Sequence, residues 1–317
     1  MKTFIISLHS FIAILLLLAA TTSHLMAQDP VLPPTNLGLA NVFDGIAGKP
    51  GFVYQGYVQA FQTNGIYDQH GNKAPTALKI NALVTLHQLI YLSKVKVLSG
   101  NLGFTVIVPV AQVSPSNTGG AAPAANPKVW GDIITGTAIQ WSDKKLFGKA
   151  FSHRTEVDVS LPVGDYSSAY AINPSAHLYT FSIYHAFTLM LNRQFSISSR
   201  NQFNYNTHII GTEQQPGSFY NGNYGIDYAI AAPLRVSFAA YFLTQLNQDK
   251  YDGHSDYYAT EYGITNTKEK VLGYGPGLAY FFPGGGLMEA KAFFETAAQN
   301  RAAGFRPTLR VAIPLSK

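Results

Sequence analysis

The sequence predicts an all-β protein folded as a transmembrane antiparallel up-and-down β-barrel of about 12 strands. Three observations predict it. Only 12% of the 317 residues are charged while 13% are aromatic, against about 25% charged in an ordinary soluble domain. Beyond the N-terminus no run of about 18 uncharged apolar residues appears, which excludes a helical membrane protein. Segments of 10 to 16 residues with period-two alternation recur along the chain, separated by connections that are long and short in turn. Barrel strands of outer membranes alternate in this way, with long external loops and short periplasmic turns. High aromatic content and low charge also exclude a disordered chain.

The elements follow in order. Residues 1–27 read as a signal peptide: Lys2 supplies the positive charge, Phe11 to Ala20 the apolar stretch, and Leu25-Met26-Ala27 a cleavage site after Ala27. Residues 28–50 are rich in Pro, Gly and Asn and read as an irregular N-terminal segment. The barrel is expected over 51–317, with strands near 51–62, 78–92, 102–112, 131–141, 150–161, 177–191, 195–206, 219–231, 236–246, 271–282, 286–296 and 305–315. The connections between them that should share one end, such as 63–77, 113–130, 162–176 and 247–270, are the long ones. An even strand number returns both ends of the chain to one side. Trp141, Phe147, Phe151, Tyr179, Tyr184, Phe281 and Phe282 lie toward segment ends, where amphipathic rings favour a membrane interface.

Successive side chains of a strand point to opposite faces. In 153–161, Arg154, Glu156 and Asp158 oppose Val157, Val159 and Leu161; in 195–206, Arg200, Gln202 and Asn204 oppose Phe195, Ile197, Phe203 and Tyr205. Near the end Glu289, Lys291 and Glu295 share a face, as do Arg306 and Arg310. In a barrel the apolar face meets lipid and the polar face the lumen. The expected lumen-lining residues are therefore Lys79, Arg154, Glu156, Asp158, Arg200, Gln202, Asn204, Asp227, Tyr241, Glu289, Lys291, Phe293, Glu295, Arg306 and Arg310. Leu83, Leu89 and Leu243 are placed on the same face as Tyr241 and Phe293, giving the interior a greasy part suited to an aromatic solute. These polar side chains either cross-link the interior or line a permeation path; both signs of charge are present, so no strong ion selectivity is expected.

Other patterns carry less. No cysteine is present, so disulfides, thiolate metal sites and an N-terminal cysteine lipid anchor are excluded. Net charge is +5 with no Lys/Arg run longer than Lys144-Lys145, so nucleic acid is not an expected partner. His153 and His185 fall on the lipid face of neighbouring strands, but Ser152 and Ser182 fall on the other face and nothing orients a catalytic base; the pair also lacks a third metal ligand. No catalytic residue, metal or cofactor is expected. Gly273, Gly275 and Gly277 sit in an alternating segment with no following helix, unlike a phosphate loop. Asp249, Asp252, Asp256 and Glu261 lack the spacing of a calcium loop, and Ser114 to Pro127 reads as a flexible external loop.

A resemblance rests on many small motifs in order: Gly51-Phe52, Asn72-Lys73, Asn81-Ala82, Gly103-Phe104 with Val108-Pro109, Gly131-Asp132-Ile133, Leu161-Pro162-Val163-Gly164-Asp165-Tyr166, Gly273-Tyr274-Gly275-Pro276 and Gln299-Asn300-Arg301. Over residues 45–317 the chain resembles outer-membrane proteins of the meta-pathway of phenol degradation family, described as transporters. The resemblance implies a barrel in the cell outer membrane, passing small, hydrophobic or aromatic molecules passively, with outer-membrane lipid, the solute and the barrel-assembly machinery as partners. It brings no catalytic or binding residues. The chain departs from outer-membrane barrels in ending Pro314-Leu315-Ser316-Lys317 rather than in an aromatic residue. A barrel with lipid-facing hydrolase activity and a closed structural or adhesive barrel are the alternatives.

Overall fold

A computed structural model describes residues 36–39 and 42–315. The signal peptide expected at 1–27, the N-terminal segment up to residue 35, residues 40 and 41, and the last two residues lie outside the described residues. The strands are β1 (Gly51–Tyr67), β2 (Leu78–Val97), β3 (Gly100–Asn117), β4 (Ile133–Leu146), β5 (Lys149–Leu161), β6 (Thr180–Met190), β7 (Phe195–Asn206), β8 (Gln214–Gln215), β9 (Phe219–Ala231), β10 (Leu234–Gln245), β11 (Lys250–Tyr251), β12 (Lys270–Phe281), β13 (Leu287–Gln299) and β14 (Arg301–Pro314). Twelve of them form one closed antiparallel barrel in which each pairs with its neighbours in the chain and β14 returns to β1. The remaining two, β8 and β11, make a two-stranded ribbon between loops. Closure leaves no strand edge, so backbone donors and acceptors are matched within the wall, as hydrocarbon demands.

Side-chain chemistry divides the wall into two faces. Outward positions such as Phe181, Ile183, Phe203, Ile226, Leu272 and Leu309 are exposed apolar groups. Inward positions of β6, β7 and β9 bury Thr180, Ser182, Ser198, Gln202, Asn204, Asn221 and Asn223. A water-soluble sheet would have these assignments reversed, with the polar face outside. Five short turns join strands at the end where β1 begins. Leu98-Ser99 and Phe147-Gly148 each take positive φ at both residues, the twist that a two-residue hairpin turn needs. The opposite end carries the long connections, among them 118–132, 162–179 and 246–269, the last containing α1 (Tyr257–Tyr262).

The strands run farther than alternation alone indicates. β2 continues through Lys94 and Lys96 and β4 through Lys144 and Lys145, where these lysines mark the sheet's extension beyond the apolar band. The connection expected over 297–304 shrinks to Asn300, which reverses the chain at φ 52°. Tyr184 and Phe281 do not join the interfacial ring. Tyr184 points inward and donates to Glu156, while Phe281 packs on Phe43 inside the barrel at 5.4 Å between ring centroids. Trp141 remains outside, its indole stacked on His153 at 4.7 Å and donating to Leu98 O at 2.8 Å.

Two predictions follow from the wall and its loops. Ile183→Arg, at mid-strand on the lipid face, should lower stability in bilayers by roughly 2–4 kcal/mol, read from urea unfolding in vesicles, whereas Ile183→Val should have little effect. In the long loop Asp249 accepts from Gly217 N at 2.8 Å and from Gln245 Nε2 at 2.7 Å. Burial pushes its carboxyl up to about 6 against these hydrogen bonds. A raised acid binds its proton more tightly folded than unfolded, so the loop contact is strongest below the unfolded value and weakens as pH rises through about 6. Amide exchange at 214–218 and 245–251, corrected for intrinsic rates, should show protection falling over that window, and Asp249→Asn should flatten it.

Candidate functional site

The N-terminal segment enters the lumen before β1 begins. Asn36 donates to Gln202 at 2.6 Å and accepts from Asn221 and Asn223 at 3.0 and 2.7 Å. Gly38 N donates to Asn223 at 2.8 Å and Val42 N to Glu289 at 3.1 Å. Gly45 N donates to Thr188 at 2.9 Å, and its carbonyl accepts from Gln140 at 2.9 Å. A side chain at position 45 would overlap the backbone of Phe187 and Thr188, so the segment lies directly against the wall there. Each contact gives an irregular backbone a partner it would otherwise lack away from water.

Charge fixes the centre of this arrangement. Arg200 grips Asp44 with two nitrogens at 2.6 and 2.8 Å, the fork geometry that makes guanidinium–carboxylate pairs strong. Beside them Arg154 pairs with Glu156 at 3.0 Å, and the Arg200 guanidinium lies over the Tyr184 ring at 4.8 Å from its centroid. Toward the short-turn end Glu289 meets Arg310 at 3.4 Å and Lys291 at 3.8 Å, and Asp227 pairs with Arg235 and Ser196. Toward the loop end Glu295 takes Arg306 at 3.0 Å and the Tyr241 hydroxyl at 2.6 Å. Acids and bases thus stand as neighbours along and across strands rather than as rings of one sign.

The remaining space lies on one side of the segment. A cavity of about 150 Å³ is bounded by two unlike walls. One, from β2 to β4, presents Val84, Leu86, Ile107, Pro109, Ala111 and Ile134; the other, from β5 to β7, presents Glu156, Asp158, Ser182, Tyr184, Arg200 and Gln202. Asn36, Leu37 and Leu39 of the segment touch it, as do Asp132, Asn173 and Pro174 at the loop end. Asp132 fixes that end by accepting from Gly164 N at 3.1 Å and Ala176 N at 2.9 Å.

Arg154, Glu156, Asp158, Arg200, Gln202, Asn204, Asp227, Glu289, Lys291, Glu295, Arg306 and Arg310 all lie on the inner face, and four of them, Glu156, Asp158, Arg200 and Gln202, share the polar wall of the cavity with Arg306 close by. Lys79 is a correction: it is exposed on the outer side, and its neighbour Ile80 faces in. Leu83 and Leu89 are corrected with it, lying on the lipid face at 48% and 44% exposure. The reason is that the polar residues of β2, Asn81, Thr85 and His87, stand in the outward row with Lys79, while the inward row carries Ile80, Val84 and Leu86, so the usual rule of a polar inner face assigns this strand the wrong parity. Tyr241, Leu243 and Phe293 do point inward, yet they are sealed with Leu37, Phe219 and Val271 in a packed cluster, Tyr241 at 0% and Phe293 at 1% exposure. They fill the lumen and offer no surface to a solute. The apolar surface that is available belongs to Val84, Leu86, Ile107 and Ile134, which alternation could not assign. Asp44 had no signal either, since an acid in an irregular stretch has no periodicity.

On the outer wall His153 Nδ1 and His185 Nε2 are 3.2 Å apart between the Trp141 and Phe151 rings. Ser182 faces the lumen and donates to Asn204. Among the described residues no group of three His, Asp or Glu could hold a metal ion.

A closed twelve-strand wall, greasy outside and polar inside, defines a membrane-spanning barrel of the outer-membrane type. The chain belongs to the family described as "Putative MetA-pathway of phenol degradation", whose profile matches residues 63–311. No curated protein matches it. Among solved structures it is similar to the COG4313 outer membrane channel from Pseudomonas putida F1, with a TM-score of 0.71 at 13% identity, covering 86% of this chain and 98% of that one. Looser likenesses are the translocator domain of autotransporter NalP from Neisseria meningitidis (TM-score 0.45, 10% identity, 85% of this chain and 90% of that one covered) and the CymD monoaromatic hydrocarbon channel (0.44, 7%, 85% and 90%).

Breaking the central ion pair should release the segment. Removing one member of a buried pair costs about 3–5 kcal/mol, and escape of residues 36–46 from the lumen avoids that penalty. In this cysteine-free chain, Leu37→Cys should react slowly with an impermeant maleimide. Adding Asp44→Asn should raise its labelling rate at least about tenfold, the factor that 1.4 kcal/mol gives.

Proposed function

We propose that the protein is a passive outer-membrane channel for small aromatic molecules, exported by the leader at 1–27 and serving aromatic-compound breakdown. The observation that carries this reading is the cavity of about 150 Å³ with one apolar wall. An enclosed apolar space of about 150 Å³ holds a single benzene ring. A ring on Leu86, Ile107 and Ile134 removes apolar area from water at roughly 25 cal/mol per Å², whereas a sugar would leave hydroxyls without partners on that wall. Membership of a family described by phenol degradation supports the same class of solute. The neighbouring acids and bases of the lumen leave no field of a single sign, which suits an uncharged molecule. No step of the passage calls for a cofactor or an energy source: selection rests on width and lining.

The test uses vesicles with a lipopolysaccharide outer leaflet, which slows unassisted entry of aromatics. Toluene should enter protein-bearing vesicles several times faster than empty ones, and glucose should not. Val84→Trp, which fills the cavity from its apolar side, should bring toluene entry back toward the empty-vesicle rate. Equal toluene entry with and without the protein would overturn the reading and leave a closed barrel.

A further inference from the structure

The cavity has a polar wall whose hydrogen bonds are unevenly used. Its arginines are committed: Arg200 to Asp44, Arg306 to Glu295 and Gln59, and Arg301 to Glu269 at 3.1 Å. Glu156 is held by Arg154 and by the Tyr184 hydroxyl. Asp158 differs. Its side chain lines the cavity and shares a hydrogen bond with Glu156, two residues before it on β5, but its Oδ1 is buried without a hydrogen-bond partner. An unmatched buried oxygen is uncommon and asks for an explanation.

The facing residue shows how the carboxyl is accommodated. Asp158 is paired across strands with Gly136 of β4, and a Cβ at position 136 would overlap Asp158 Oδ1. A glycine within a strand marks such a close approach. Oδ1 lies against Gly136, and because rotation of a carboxyl about χ2 is soft, a partial turn brings it from the glycine to the cavity edge when a donor enters. Ile134 on the same strand lines the same cavity, as do Leu86 and Ile107 across it. An oxygen acceptor therefore stands at the edge of a space the size of one ring.

We propose that Asp158 is a specificity residue of this cavity, accepting a hydrogen bond from the hydroxyl of a neutral phenolic solute whose ring lies on Leu86, Ile107 and Ile134. This rests on the channel reading above and narrows its solute class. A hydroxyl supplies the hydrogen bond that Oδ1 lacks. A methyl group leaves the oxygen unmatched, and a carboxylate has no hydrogen to donate while the nearby arginines are already engaged. The site thus ranks phenol above toluene and above benzoate, three molecules that share a ring and differ in one substituent.

The experiment is equilibrium binding of phenol, toluene and benzoate to the full chain in nanodiscs, with empty nanodiscs subtracted to remove partitioning into lipid. Native protein should bind phenol at least about tenfold more tightly than benzoate, and tighter than toluene, since satisfying a buried acceptor that is otherwise unmatched commonly gives a factor of this order. Asp158→Leu should weaken phenol about tenfold and leave toluene unchanged or tighter; Asp158→Asn, which keeps an acceptor, should fall between. Gly136→Ala, which displaces the carboxyl without altering it, should act in the same direction as Asp158→Leu. Heat-modifiable migration on gels verifies that each barrel has closed, and the Asn and Gly136 variants decide the matter if Leu does not fold. Equal affinity of native protein for phenol and toluene, or an equal loss of both in Asp158→Leu, would overturn the assignment while leaving the channel intact. Absence of binding of any ring compound above empty nanodiscs would overturn both.

Discussion

In hydrocarbon a peptide group can find a hydrogen-bond partner only in another peptide group or a protein side chain. A sheet meets that demand only by closing, and closing sorts every residue of a strand into one of two environments. The outer set must be apolar because it meets lipid. The inner set is free to be polar, and here it is, with Ser, Thr, Asn and Gln filling much of β6, β7 and β9. The polar groups that remain on the outer wall satisfy one another. Asn201 accepts from both Tyr220 and Tyr224 at 2.8 and 2.7 Å, and the two histidines meet at 3.2 Å.

A polar interior brings a second requirement, since charges held away from bulk water need partners. The lumen answers with neighbouring pairs, Arg154 with Glu156 along β5 and, across strands, Arg235 with Asp227, Arg306 with Glu295 and Arg310 with Glu289. Arg200 instead takes its acid from the N-terminal segment, Asp44. The same pairing that neutralises the arginine holds a stretch of irregular backbone inside the barrel, where Asn36, Gly38, Val42 and Gly45 find partners on five different strands. Interior electrostatics and occupation of the lumen are therefore one feature.

Occupation is uneven around the barrel. On the β9–β13 side Leu37 completes a packed cluster with Tyr241 and Phe293, and no room is left. On the β2–β5 side the facing side chains are shorter or turned away, Gly136 among them, and a cavity remains between an aliphatic wall and a polar one. Two unlike walls facing each other across a single-ring space favour amphipathic aromatic molecules, because each half of such a molecule then meets its own kind. The functional reading comes from that contrast more than from the charge count.

Alternation was sufficient for the class of fold, the number of barrel strands and the inner face of β5, β7, β13 and β14, because charged residues at every second position fix parity wherever one face is polar. It misoriented β2, whose polar residues Asn81, Thr85 and His87 face outward while Ile80, Val84 and Leu86 face in, and a slip of one residue exchanges lipid for lumen; Lys79, Leu83 and Leu89 went to the wrong side for that reason. Nor could it tell a packed interior from an open one. Tyr241 and Phe293 face inward as read, but whether they meet a solute or Leu37 depends on a segment more than two hundred residues away in the chain. Local sequence thus determined which side chains point inward on the polar strands, since parity is a property of single strands. Only the closed structure decided what fills the interior, since that depends on which distant residues meet across it.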